Sequence, residues 1–157
     1  DNAQALALAC TDEGMNIVSG TTENHLMLID VRSFNITGRQ AAGAMIDCNI
    51  TLNKNTIPFD PNGAISTSGL RIGTPAITTL GMTPDDMKEI ASIFKLVLSN
   101  TSAGVIASGP NQGKPSKANF ELDPTAKQEA QTRVKALLDR YPVYPNLDLG
   151  FLQQHFS

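Results

Sequence analysis

The 157-residue sequence predicts an α+β domain, a two-layer sandwich in which helices cover a small, mainly antiparallel sheet. Three observations carry that prediction. Short β-type runs alternate with longer segments of helical periodicity, the pattern of a sheet with helices laid on it. Two of those runs, MNIVSG and HLMLIDV, are joined by the turn-rich GTTEN and read as a hairpin. Several helices also begin on legible caps.

The elements follow in order. Ala3, Leu6, Ala7 and Cys10 recur at helical spacing, and Gly14 supplies a C-terminal stop. The chain opens inside or at the edge of that helix with no initiator methionine, so it reads as a piece of something longer. In HLMLIDV, Leu26, Leu28 and Asp30 alternate with Met27 and Ile29, which suggests a strand buried largely on both faces. Thr37 followed by Gln40 makes a capping box for a helix reaching Asp47 or Cys48. ITLNK is a strand. The segment NTIPFDPNGAISTSG, with two prolines and two glycines, is a long loop. Ordered loops of that length are disproportionately functional.

LRIG forms the next strand. Thr83 caps the following helix, Pro84 sits in its first turn, and Asp85 and Asp86 favour the positive end of its dipole. Ile90, Ile93, Phe94 and Val97 form its apolar stripe. SGPNQGKPSKANFELD reads as a solvated or partly disordered connector. Asp123 and Pro124 open a last helix that stops before Pro142, and the tail beyond it carries enough apolar residues to pack. The expected organisation is a lead-in helix over 1–14, a domain over 15–144 and a tail over 145–157.

Charge and motif content exclude several functions. Twelve basic residues against 15 acidic ones, with no basic cluster, leave no electrostatic footprint for nucleic acid or a membrane surface. No apolar run approaches the roughly 20 residues of a membrane-spanning helix. Cys10 and Cys48 fall within predicted helices, far apart and without neighbouring histidines, as two buried reduced thiols do. Metal-ligand spacing, a nucleophile elbow, a Walker loop and a dinucleotide fingerprint are all missing. His25 opens a strand, where hydrogen bonding to the backbone is expected of it, and His155 lies in the tail as a solvated residue. The serines have no evident base.

Two polar residues stand out. In SGLRIGTPA, Arg71 lies between apolar residues and points to the face opposite Leu70 and Ile72. Burying a guanidinium without an acid is costly. Its partner is therefore either Asp60 or Asp30 in a salt bridge, or the carboxylate or phosphate of a ligand held in a bidentate clamp. Asn55 either braces the loop through its own backbone or presents its amide to the edge of a heterocycle. Glycines 69 and 73 allow close approach of neighbouring strands and ligand.

VSGTTENHLMLIDV, ITLNKNTIPFDP and TSGLRIGTPAITTLGM, in this order and spacing, resemble serine hydroxymethyltransferase, as does RYPVY near the end. The resemblance runs from Asp1 to Tyr144. It implies the carboxyl-terminal small domain of a pyridoxal-phosphate enzyme of fold type I, the aspartate aminotransferase fold. The implied reaction interconverts serine plus tetrahydrofolate with glycine plus 5,10-methylenetetrahydrofolate, in cytosolic homodimers or tetramers of the bacterial type. Arg71 matches the family arginine that grips the amino-acid carboxylate, and Asn55 the asparagine that contacts the pteridine ring of the folate. The family's Schiff-base lysine segment, its pyridine-pairing aspartate, its ring-stacking histidine and its phosphate loop have no counterpart here. The cofactor thus belongs to a large domain, no catalytic residue lies in this chain, and the chain alone is expected to be inactive. Lys54, within NKN, does not match the lysine motif. GTTEN and NGAIS depart from the usual family pattern, and the connector and tail are longer than in compact bacterial members. A free-standing amino-acid-binding or regulatory domain of the same fold is the alternative.

Overall fold

Helix α1 (Asn2–Asp12) turns Ala3, Leu6, Ala7 and Cys10 inward and packs along α5 (Asp86–Ser99). It ends where Gly14 takes φ +76°, with Gly14 N–H donating to the Thr11 carbonyl and Met15 N–H to the Cys10 carbonyl, each at 2.9 Å. This is a Schellman turn, which needs a left-handed residue at that point. The structure is a computed structural model that describes residues 1–144, 150, 154 and 155. The expectation for a packed tail over 145–157 lies outside the described residues, apart from an exposed Gly150, Gln154 and His155.

Strands β1 (Asn16–Ile17), β2 (Leu26–Asp30), β3 (Asn53–Asn55) and β4 (Gly69–Gly73) form one sheet in the order β1-β2-β4-β3. Every pairing is antiparallel, as the sequence predicts. Met27 lies opposite Ile72 and Ile29 opposite Leu70, so these four share the core face, and all are buried. The other face carries Leu26, Leu28 and Arg71. Here the expectation of burial on both faces fails: Leu26 is 38% exposed and Leu28 only half-buried. Alternation places them beside Arg71 on a surface that solvent reaches.

The capping box of α2 (Gly38–Asp47) forms as expected. Thr37 Oγ1 accepts from Gln40 N–H at 3.2 Å and Gln40 Oε1 accepts from Thr37 N–H at 2.8 Å. Gln40 is fully buried, and its Nε2 donates to the Ser116 and Asn119 carbonyls at 2.7 Å each. Those acceptors belong to a segment read from its composition as a connector, and the structure corrects that reading. Strands β5 (Thr101–Val105) and β6 (Pro115–Leu122) form an antiparallel hairpin. Ser116, Ala118, Phe120 and Leu122 face inward at period two. The Phe120 ring lies over Gly43, where a Cβ would come within 2.5 Å of it.

Two short helices, α3 (Gly63–Ser66) and α4 (Pro75–Thr79), flank β4. α6 (Pro124–Arg140) begins as predicted, with Asp123 accepting from Ala126 N–H at 2.9 Å. The start of α5 differs from expectation. The helix opens at Asp86, and Asp86 Oδ2 accepts from Thr83 N–H at 2.8 Å and from Thr83 Oγ1 at 3.1 Å. Thr83 is therefore a donor to Asp86, and not the acceptor that a side-chain cap would be. Asp86 also accepts from Tyr141 Oη at 2.8 Å and from Arg140, which ties the start of α5 to the end of α6.

The Thr83 amide, with Tyr141 and Arg140, holds the Asp86 carboxyl below its usual range in spite of its burial. A depressed folded pKa gives stability that is present above the ordinary carboxylate value of about 3.9 and lost as pH falls through the folded value. Asp86→Asn is expected to cost about 1–3 kcal/mol at pH 7, or about 2–4 °C in Tm per kcal/mol. The deficit should shrink below pH 4. Thermal melts at pH 7 and pH 3 check this, and an equal deficit at both would refute it.

Cys10 and Cys48 are buried and unbridged, as the sequence predicts, and burial pushes the Cys10 thiol up to about 12. Among the described residues no helix is long and apolar enough to cross a membrane.

Candidate functional site

Strand β4 sets the site. Leu70 and Ile72 anchor it in the core, and alternation leaves Arg71 exposed between them. Leu28 of β2 and Asn53 of β3 are its cross-strand neighbours. Both acids considered as salt-bridge partners are engaged elsewhere. Asp30 accepts from Arg32 Nη2 at 2.7 Å and from its Nε and N–H at 3.0 Å. Burial raises the Asp30 pKa, but the Arg32 hydrogen bonds and charge outweigh it and hold the carboxyl low. Asp60 accepts from Ser68 Oγ at 2.6 Å and from Ser68 and Asn62 N–H at 2.8 Å. Among the described residues, Arg71 makes no hydrogen bond and no ion pair. The salt-bridge reading is not realised in the structure.

Asn55 ends β3 and pairs with Gly69, two residues before Arg71 on β4. Its Nδ2 donates to the Thr56 carbonyl at 2.7 Å, so the loop-bracing reading holds for the donor end. Its Oδ1 accepts no hydrogen bond among the described residues. Asn55 and Arg71 both line one open cleft of about 620 Å³. The opposite wall is the β1–β2 loop, including Ser19, Thr22, Glu23 and Asn24. That loop is braced internally: Thr22 Oγ1 donates to the Leu26 carbonyl at 2.5 Å and Asn24 Oδ1 accepts from Leu26 N–H at 2.7 Å. Reading the sequence identified GTTEN as a turn, without placing its side chains at the site. Only the β2–β4 register brings it opposite Arg71.

The glycines flanking Arg71 have steric reasons. A Cβ on Gly69 would lie 2.7 Å from Ile57 Cγ2 and 2.9 Å from the Asn55 carbonyl oxygen, and one on Gly73 would lie 3.0 Å from Leu26 Cδ2. Close approach to β3 and β2, as expected at these positions, requires hydrogen there.

The cleft sets a guanidinium among hydroxyl, amide and carboxylate groups. Among the described residues that line it, Arg71 is the one cation and Glu23 the one acid, and there is no lysine, histidine or cysteine. Lys54 Nζ donates to the Ile65 carbonyl at 2.8 Å, a contact that holds α3. His25 is exposed, and its backbone carbonyl, not its ring, is what bonds, accepting from Thr74 N–H at 3.1 Å. No group of three potential metal ligands occurs among the described residues. An aldehyde cofactor needing a lysine therefore does not fit the residues this cleft contains. A second cavity of about 460 Å³ meets the first at Arg71 and is walled by Leu6, Ile72, Ile90, Phe94 and Leu137.

An arginine and an asparagine on the open face of a small antiparallel sheet, with helices on the other side, place the chain among α+β domains. The serine hydroxymethyltransferase family model matches residues 1–94. Serine hydroxymethyltransferase of Treponema pallidum (strain Nichols) is 50% identical over 157 residues, which is 100% of this chain and 27% of that protein. Those of Salinispora tropica and Cutibacterium acnes are 45% and 41% identical over 95% and 96% of the chain, and 30% of each protein. The chain belongs to the serine hydroxymethyltransferase family. It spans less than a third of the length of these relatives.

Proposed function

We propose that the chain is the carboxyl-terminal small domain of a pyridoxal-phosphate-dependent serine hydroxymethyltransferase, and that it supplies half of the active site. The full-length protein interconverts serine plus tetrahydrofolate with glycine plus 5,10-methylenetetrahydrofolate, a step of one-carbon metabolism, as a cytoplasmic homodimer or tetramer. A large domain of the same protein holds the cofactor. The reading rests chiefly on one observation: Arg71, with no hydrogen-bond or ion-pair partner among the described residues, shares its cleft with Asn55.

Arg71 grips the carboxylate of serine or glycine through two parallel N–H···O bonds. A two-point grip fixes rotation of the amino acid about its Cα bonds, so the bond to be broken is held in one orientation. Asn55 contributes its free Oδ1 to an N–H of the pteridine, with Nδ2 already fixed on Thr56. The 157 residues alone do not catalyse, because the cleft has no lysine for the cofactor.

The test is a steady-state assay of the full-length protein with pyridoxal phosphate, serine and tetrahydrofolate. Hydroxymethyl transfer is expected, and its absence refutes the reading. Asn55→Ala should raise KM for tetrahydrofolate about 10-fold, the equivalent of one hydrogen bond of ~1.4 kcal/mol. KM for serine should stay within twofold. If both constants move together, Asn55 does not contact the folate.

A further inference from the structure

The loop over 56–68 joins the two proposed binding residues, leaving β3 at Asn55 and entering β4 at Gly69, its register partner. Its backbone is strained. Phe59 and Thr67 take φ +54° and +55°, in the left-handed region that residues with a Cβ avoid. Neither is compensated by its own side chain. Phe59 is fully exposed, and the buried Thr67 hydroxyl has no hydrogen-bond partner among the described residues.

One carboxylate gathers the loop. Asp60 Oδ2 accepts from Ile57 N–H at 3.2 Å and from Ser68 N–H at 2.8 Å, and Oδ1 accepts from Asn62 N–H at 2.8 Å and Ser68 Oγ at 2.6 Å. Ser68 Oγ also accepts from Asn62 Nδ2 at 3.0 Å, and Asn62 Oδ1 accepts from Lys117 Nζ of β6 at 3.0 Å. The Ser68 carbonyl in turn accepts from Val31 N–H at 2.9 Å, just past β2. Both ends of the loop are thus fastened to Asp60, and the exit end is fastened on to the central strands. Burial raises the Asp60 pKa, but the Ser68 hydroxyl and the surrounding amides outweigh it, so the charged, accepting form is the one present.

We propose that Asp60 is a positioning residue, which holds the 56–68 loop in its strained form so that Asn55 and Arg71 address one ligand. This rests on the function proposed above. Asp60 does not line the cleft. It acts through the ends of β3 and β4, and the asparagine end depends on it more, because Asn55 and Ile57 lie at the start of the loop while Arg71 is also paired to β2.

The test uses the full-length protein and its Asp60→Asn variant. The amide of asparagine keeps the shape but replaces one acceptor with a donor that faces the donors of Ser68 or Asn62. KM for tetrahydrofolate is expected to rise at least 10-fold while the glycine dissociation constant rises less than threefold. Amide hydrogen exchange at Ile57, Asn62 and Ser68 should accelerate at least 10-fold, with Ile29 and Leu70 unchanged. If Asp60→Asn does not fold, Ser68→Ala carries the same split with at least a threefold rise in KM. Unchanged exchange at Ser68 or an unchanged folate KM overturns the proposal, as does a loss of kcat alone. If Asp60→Asn accelerates exchange but the wild-type protein shows no hydroxymethyl transfer, the function falls, and the positioning role for that ligand falls with it.

Discussion

Arg71→Ala in the full-length protein is expected to weaken glycine binding at least 100-fold while leaving the fold intact. A charge-assisted hydrogen bond contributes about 1.5–3 kcal/mol, and a bidentate grip makes two. A loss of about 3–4 kcal/mol is then on the order of 10²–10³-fold in affinity. Stability should change by less than about 0.5 kcal/mol, since the side chain is exposed and makes no ion pair among the described residues. Arg71→Lys keeps the charge but not the fork, and should recover only part of the affinity. A glycine titration followed by cofactor absorbance, beside a thermal melt, separates the two effects. Retained affinity in Arg71→Ala would remove the clamp. A Tm loss as large as the affinity loss would recast Arg71 as structural.

Gly38→Ala is expected to destabilise the protein by about 3 kcal/mol or more, although alanine ordinarily favours a helix over glycine by ~1 kcal/mol. Gly38 begins α2, and its N–H donates to the Thr67 carbonyl at 3.0 Å. An added Cβ would lie 2.5 Å from the Gly69 carbonyl oxygen and would also overlap Thr67 Oγ1. The Gly69 oxygen cannot yield cheaply, because Gly69 is paired on both sides in the sheet. The start of α2 would have to withdraw from β4. At about 2–4 °C per kcal/mol, Tm should fall by roughly 6–12 °C. An unchanged or raised Tm would mean that the two elements separate easily.

Much of this architecture was legible because its signals are local. The caps at Thr37 and Asp123 and the stop at Gly14 each depend on residues within a few positions of one another, and each forms. The β5–β6 hairpin was not legible, because its order comes from a distance. Gln40 bonds carbonyls 76 and 79 residues away, and Phe120 fits over Gly43 only once α2 exists. Against those contacts, a composition rich in glycine, proline and serine pointed the other way. Thr83 and Asp86 both read as helix-start residues, but the Asp86 carboxylate also accepts from Arg140 at the end of α6 and from Tyr141 just beyond it, contacts that no local pattern reveals.

The same division holds at the site. Arg71 and Asn55 were visible as polar residues in an unusual setting, and the β4 register brings them to one cleft. Thr22 and Glu23 were not, since a turn sequence does not reveal which strand it faces. Asp60 was visible only as a candidate ion-pair partner. Its four donors come from a loop whose path no periodicity describes.

The burial of Cys10 and Cys48 has a practical corollary. Thiol-directed reagents attack the thiolate, and neither native sulfur in this domain is accessible to them. A cysteine introduced at the exposed Ser108, in the turn between β5 and β6, is nearly isosteric and becomes the domain's single attachment point for a dye. Paired with a second dye on the rest of the full-length protein, it would report how this domain moves as substrate arrives.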